Sequence, residues 1–190
     1  SRRYSAAQSL AHFQQENLIL DVGCKISVLP DLLSKRSIRF RYFGIDLSSV
    51  VRHTPTRPDV QLIQADVTEG LPFQGGTFTH VFCLELLEHV VSPLALLQEI
   101  HRVLRPDGEL LLSVPNPYYW TEVYWNLRGV PDVEGHLSSF TPQTMRRLLD
   151  FAGFQVRDHR GTYLELPLVH WIVQSPLVDM PNWLLARSIV

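Results

Sequence analysis

Four short apolar runs follow one another early in this chain, and an acid closes each. They are Asn17–Val22 with Asp21, Phe40–Asp46, Val60–Asp66, and Thr77–Leu84 followed by Glu85. Short apolar runs bounded by turn residues read as buried strands. Helix-like stretches separate them. Val28–Lys35 carries apolar residues at 28, 29, 32 and 33, with Pro30 tolerable only in a first turn. Ser92 caps a helix that starts at Pro93 and lines Leu97, Ile100 and Leu104 along one face, with Leu96 and Val103 beside them. Pro106-Asp107-Gly108 stops it, and Glu109–Val114 reads as a fifth strand. Thr141 caps another helix at Pro142, with Met145, Leu148, Leu149 and Ala152 on one face and Gly153 at its end. Phe154–Tyr163 and Leu185–Val190 read as the sixth and seventh strands.

Strands alternating with helices predict a mostly parallel sheet covered on both faces. Such sheets bind ligands outside the carboxyl ends of their strands. The residues to watch are therefore Asp21-Val22-Gly23, Asp46, Asp66 and Cys83 to Glu85. The 190 residues show no repeat or linker, so a single domain over 1–190 is expected. A net charge of −2 gives no argument for nucleic acid or an anionic membrane as partner. Two cysteines cannot staple a chain of this length. No apolar run is long enough to span a bilayer and no signal peptide opens the chain, so a cytoplasmic protein with reduced thiols is expected.

The strand ends resemble those of class I methyltransferases that use S-adenosylmethionine. The likeness runs from about Asn17 to the C-terminus. Leu18-Ile19-Leu20-Asp21-Val22-Gly23-Cys24 resembles that family's first motif, a strand running into a glycine loop. Gly44-Ile45-Asp46-Leu47-Ser48 resembles the second and Gln64-Ala65-Asp66-Val67 the third. Val81 to Val90 and Leu104 to Glu109 resemble the fourth and fifth strands with their turns. His136 to Thr141 and Ala152-Gly153-Phe154 resemble a branch found in small-molecule or cell-surface sugar pathways. The resemblance implies a Rossmann-like, doubly wound α/β sheet of seven strands in the order 3-2-1-4-5-7-6, the seventh antiparallel. It implies S-adenosylmethionine as cofactor, with Asp46 on the ribose and Asp66 on the adenine amine. Asp21, Gly23, Cys24, Leu47, Val67, Cys83 and Leu84 would line the rest of that crevice.

Elementary chemistry agrees. One carboxylate accepts both hydroxyls of a ribose diol, and an amine needs an acceptor. The acids suit a cationic sulfonium better than a diphosphate, and the G-x-G-x-x-G turn of dinucleotide binders is absent. One departure stands out. The family loop is close to Gly-Cys-Gly-x-Gly, whereas this chain has Gly23-Cys24-Lys25-Ile26-Ser27. Glycine serves there because backbone passes close to the ligand and adopts positive φ. Either the loop still binds, with weaker affinity, or the domain is a non-catalytic relative acting as a binding or regulatory subunit. An active enzyme on a small-molecule or sugar-like acceptor is the expectation; the oligomeric state stays open.

Methyl transfer needs alignment and, for a hydroxyl or amine acceptor, a base. His136 is the candidate base, at the end of an aromatic segment, Pro117–Phe140, that reads as an inserted lid. Within the lid, Trp120, Val123, Tyr124 and Leu127 have helical spacing, which predicts packing against the sheet edge. Glu85 and Glu88 would share a face if their turn were helical, and His136 could complete a set of oxygen and imidazole ligands. A Glu-His pair after the fourth strand is common in relatives with no metal, and no metal is expected.

Overall fold

The acid-ended runs are strands, and the computed structural model describes residues 2–54, 57–130, 134–160 and 183–188. β1 (Asn17–Val22), β2 (Phe40–Asp46), β3 (Val60–Gln64), β4 (Phe78–Leu84) and β5 (Leu104–Ser113) pair in parallel in the order β3-β2-β1-β4-β5. That order is the expected one. All of β4 is buried, which is why its sequence shows no polar alternation.

Successive strand residues feed two separate cores, as the period of two requires. Leu20, Ile45, Val81 and Leu110 face one side, where α4 (Pro93–Val103) adds Leu97 and Ile100 and α6 (Pro142–Phe151) adds Met145 and Leu149. Ile19, Tyr42, Phe82 and Leu111 face the other, where α1 (Arg2–Leu10) adds Tyr4 and Ala7 and α2 (Leu29–Lys35) adds Leu29 and Leu33. Each such side chain, fully buried, stabilises the fold by about 1.5–3 kcal/mol before the entropy of ordering it. The short helix α3 (Val50–His53) follows β2. The Thr141 hydroxyl accepts from the Thr144 N–H and starts α6, as its sequence predicts.

Three local expectations shift. The chain passes from α4 straight into β5 at Leu104, not at Glu109. Leu104 is buried and pairs with Phe78, Glu109 pairs with His80, and exposed Arg105, Pro106 and Asp107 bulge out between them. The third strand ends at Gln64, because the Asp66 side chain caps a 3₁₀ turn over Val67–Glu69. α1 carries no sequence signal strong enough to predict: its run RRYSAAQSL is mostly polar, and it docks through Tyr4 and Ala7. At the far edge, backbone of β7 (Trp183–Ser188) lies antiparallel to β5 and to β6 (Phe154–Arg160). Residues 161–163 of the expected sixth strand and 189–190 of the seventh lie outside the described residues, as does His170.

A buried carboxylate ties these layers together. Glu109 accepts from the His12 N–H at 2.9 Å and from Arg157 Nη1 at 3.2 Å, and it meets His12 Nδ1 at 3.0 Å. His80 Nε2 is 3.8 Å away, and Thr79 Oγ1 lies 2.8 Å from His80 Nδ1. His80 is thus part of the interior, as its place within a strand implies.

Candidate functional site

The strand-end acids sit at one end of the sheet, and they differ in what holds them. Asp21, at the end of β1, is fully buried. Its Oδ2 accepts from the Tyr42 hydroxyl at 2.8 Å and the Tyr4 hydroxyl at 3.0 Å. Burial pushes its carboxyl up to about 6, against the pull of the Ser27, Tyr42 and Tyr4 hydroxyls. Asp21 therefore braces the crevice from beneath.

The loop after β1 keeps the shape that glycines would give it. Gly23 has φ +75°, and a Cβ there would come within 3.1 Å of the Leu86 side chain. Lys25, in place of a glycine, also has positive φ, +46°. The Gly23 and Cys24 N–H groups both donate to the Ile45 carbonyl, at 2.8 and 3.2 Å. The Lys25 N–H donates to Asp46 Oδ2 at 2.7 Å, and the Ser48 N–H to Asp46 Oδ1 at 2.8 Å. Asp46 is half-buried, and each of its oxygens keeps acceptor capacity beyond these bonds. Ile26 and Leu47, which follow Lys25 and Asp46, are exposed at 64% and 66%.

Asp66 lies half-exposed after β3. Its Oδ1 accepts from the Thr68 N–H at 2.9 Å and the Thr68 hydroxyl at 2.6 Å, bonds that hold its pKa below the usual carboxylate value. Cys24, Val67, Cys83 and Leu84 are all buried, Val67 and Cys83 in the core with Leu20 and Leu84 in the core with Ile19. Cys24 and Cys83 are free thiols, and burial pushes the Cys83 thiol up.

Beyond β4 the backbone turns sharply. Glu85 has φ +55° and donates its N–H to the Ser113 carbonyl at 3.0 Å, while the Ser113 hydroxyl donates to Glu85 Oε1. A non-glycine residue in that conformation is held by its surroundings. The next turn is a single 3₁₀ turn, Leu87–His89. Glu85 and Glu88 therefore do not share a helical face as expected: Glu85 turns to β5, whereas Glu88 is buried. The Glu88 carbonyl accepts from the Leu137 and Ser138 N–H groups at 2.7 and 3.1 Å, which brings His136 to this turn. The His89 and His136 rings stand 4.9 Å apart, and His136 Nε2 lies 3.4 Å from Glu134 Oε2.

His136 also lines a cavity of about 570 Å³, with Asn116, Glu122, Trp125, Glu134 and Phe140 among its walls. This volume suits a small molecule. α5 (Trp120–Leu127) forms one wall. The helix follows the predicted spacing, but not the predicted packing: Val123, Tyr124 and Leu127 are exposed at 40%, 45% and 82%. The apolar face of α5 is thus left open to solvent.

Comparison with known proteins fits this architecture. A family described as a methyltransferase domain matches residues 2–159. The chain belongs to this family. S-adenosylmethionine is the cofactor of such methyltransferases. A probable S-adenosylmethionine-dependent methyltransferase of Mycolicibacterium smegmatis is 28% identical over 82% of this chain and 59% of its own length. A ubiquinone biosynthesis O-methyltransferase of Pseudomonas paraeruginosa is 32% identical over 52% of this chain and 44% of its own length. The domain thus spans about half the length of these curated relatives. Among solved structures, an S-adenosylmethionine-dependent methyltransferase of Mesorhizobium loti shares the fold at a TM-score of 0.72, with 17% identity over 98% of both chains. The 1,6-didemethyltoxoflavin-N1-methyltransferase of Burkholderia thailandensis, bound to S-adenosylhomocysteine, does so at 0.69, with 18% identity over 100% of this chain and 79% of its own. Among the described residues, no helix is long and apolar enough to cross a membrane.

Of the set that the sequence suggested, Glu88 and His136 do come together, while Glu85 turns to β5. His89 is the member that the sequence reading left out, and its only signal is its place beside Glu88 in Leu86-Leu87-Glu88-His89-Val90.

Proposed function

We propose that this domain is an S-adenosylmethionine-dependent methyltransferase acting on a hydroxyl of a small, sugar-like acceptor. The observation that carries the reading is the loop at the end of β1. It keeps positive φ at Gly23 and Lys25, and it presents the half-buried Asp46 carboxylate with two backbone N–H bonds. That arrangement fits the cofactor. Asp46 accepts from the ribose diol, Asp66 from the adenine amine, and the Gly23 backbone borders the methionine part. The exposed Ile26 and Leu47 cover apolar faces of the adenosine, and the Lys25 ammonium points to solvent. When bound, S-adenosylmethionine supplies a methyl group activated by its sulfonium.

The chain's own contribution is alignment, water exclusion and proton transfer. The acceptor occupies the cavity beside β5, whose polar groups Asn116, Glu122 and Glu134 suit hydroxyls. α5 and the loop to Phe140 act as its lid. His136 takes the proton that the acceptor hydroxyl releases. The complete sheet of this reading is the seven-stranded one, supported by the antiparallel pairing of Trp183–Ser188 with β5 and β6. The name of the Pseudomonas relative, an O-methyltransferase, supports an oxygen acceptor.

Calorimetric titration with S-adenosylmethionine and S-adenosylhomocysteine tests the reading. Saturable binding of one ligand per chain is expected. Absence of heat at millimolar ligand would sink it and leave a non-catalytic binding domain.

A further inference from the structure

The acceptor cavity carries fixed charge of one sign. Its walls among the described residues hold the Glu122 and Glu134 carboxylates, the Asn116 and Asn126 amides and the Trp125 ring, and no Lys or Arg. Arg128 is the one Lys or Arg from Pro115 to Phe140, and its guanidinium lies over the Tyr124 ring, 5.8 Å from the centroid. Residues 131–133 and 161–182, outside the described residues, contain no Lys or Arg either. The cavity therefore repels a carboxylate or a phosphate and attracts a cation.

A second, independent observation points to a positively charged ligand. Glu88 is 1% exposed, and neither of its carboxylate oxygens has a hydrogen-bond partner in another described residue. One of those oxygens lies within 4.8 Å of a ring nitrogen of His136, which lines the cavity. A buried carboxylate without a partner is expensive, and a cation lodged beside His136 offsets its charge. The surroundings of His136 say where that cation sits. His136 Nε2 lies 3.4 Å from Glu134 Oε2. An ammonium and a hydroxyl on adjacent carbons of one molecule match that spacing, the first on Glu134 and the second on His136. The Trp125 ring in the same walls is an aromatic partner that favours an ammonium.

We propose that the acceptor is a polyhydroxylated amine of the amino-sugar kind, held through its ammonium by Glu134 while the hydroxyl on the adjacent carbon faces His136. This rests on the reading of the cavity as the acceptor site, and it adds the charge of the acceptor to that reading. Glu122, on α5, contributes further negative charge to the same cavity. The Asn116 and Asn126 amides both donate and accept, which suits the remaining hydroxyls. The ammonium is an anchor and not the methylated atom, because a protonated amine has no lone pair with which to attack. By engaging Glu134 it draws that carboxylate off His136 Nε2, which the hydroxyl then meets. Glu122 and Glu134 thus set specificity and take no proton from the acceptor. A neutral sugar lacks the anchor, an N-acylated one has lost its charge, and an acidic one meets repulsion.

Calorimetric titration with glucosamine, N-acetylglucosamine, glucose and glucuronate at neutral pH, each with and without saturating S-adenosylhomocysteine, tests the proposal. Glucosamine is expected to bind roughly tenfold or more tightly than N-acetylglucosamine or glucose, with glucuronate the weakest. Added salt should weaken glucosamine and leave glucose unchanged. Glu134→Gln should remove most of the preference for glucosamine and Glu122→Gln part of it, with glucose affinity kept in both. Both residues are exposed, so neither variant disturbs the core. Glu16→Gln, exposed before β1, should change nothing. Equal affinity for glucosamine and glucose, no binding of any of the four, or an unchanged preference in Glu134→Gln would overturn the proposal. A chain that binds S-adenosylhomocysteine but ranks the sugars otherwise refutes this proposal alone. One that ranks them as expected but binds no S-adenosylhomocysteine refutes the methyltransferase reading and leaves the preference for an amine standing.

Discussion

Lys25 pays a conformational cost that a glycine would not. Its φ of +46° lies in the left-handed region, which costs an L-residue about 1–2 kcal/mol. Lys25→Gly should raise stability by up to about 1 kcal/mol, the left-handed penalty less glycine's larger chain entropy. Urea denaturation reads that change, and the same variant should bind S-adenosylmethionine at least as tightly as wild type. Asp21 makes a second prediction. Its carboxyl sits at about 6 in the fold against the usual 3.8. Between those values the folded chain keeps a proton that the unfolded chain has released, so this group lowers stability as pH rises through that window. Above it, the charged Asp21 costs on the order of 3 kcal/mol. Asp21→Asn keeps an oxygen for the two tyrosine hydroxyls and removes the charge. Its urea midpoint should exceed that of wild type at pH 7.5, with a smaller gain at pH 4.5. An equal difference at both values would show that desolvation of the charge is not the cause.

Among elements, those whose signals are local were legible. α4 and α6 carry a proline at their first turn and an apolar stripe of helical spacing, and both formed where that pattern ends. The parallel strands were legible because burial on both faces leaves continuous apolar runs. α1 was not, since its docking depends on two residues, Tyr4 and Ala7, meeting a surface built by distant strands. The start of β5 was missed for a related reason. Pro106-Asp107-Gly108 is a turn signal, yet a sheet can accommodate such a turn as a bulge when the residue before it is buried. α5 shows the limit of periodicity, which gives a helix its face but not the partner of that face. Glu109 gives this scale its prediction. It joins the segment before β1 to β6 across the sheet, through His12 and Arg157. Glu109→Ala should cost about 1–2 kcal/mol, because it removes the acceptor shared by the His12 N–H and by an Arg157 guanidinium that solvent reaches in part. Equilibrium unfolding checks it; a loss below about 1 kcal/mol would mean that solvent replaces the carboxylate.

For the molecule as a whole, ligand and fold are linked. Saturating S-adenosylhomocysteine at a hundred times its Kd should add about 2.7 kcal/mol to stability. Asp46→Ala should weaken S-adenosylhomocysteine by more than about 1 kcal/mol, the scale of a hydrogen bond to a charged group, and reduce the ligand-induced rise in Tm with it. An unchanged rise would remove Asp46 from the ribose role. The cofactor side of the site was readable because each acid ends its own strand. The other side was legible in part: Glu88 and His136 stood out as members of one set, but that His89 joins them and Glu85 leaves is decided by the fold, which no local pattern records. The loop after β1 carries one more consequence. Its path is drawn by its own main-chain N–H groups, from Gly23 and Cys24 to the Ile45 carbonyl and from Lys25 to the Asp46 carboxylate. Those bonds use no side chain of the loop, so the letter can drift at position 25 while the geometry stays put, whereas Ser27 takes part with its hydroxyl, which accepts from the Leu29 N–H at 3.1 Å. A glycine pattern is then a record of ancestry and convenience, and its erosion is a poor clock for the loss of a binding site.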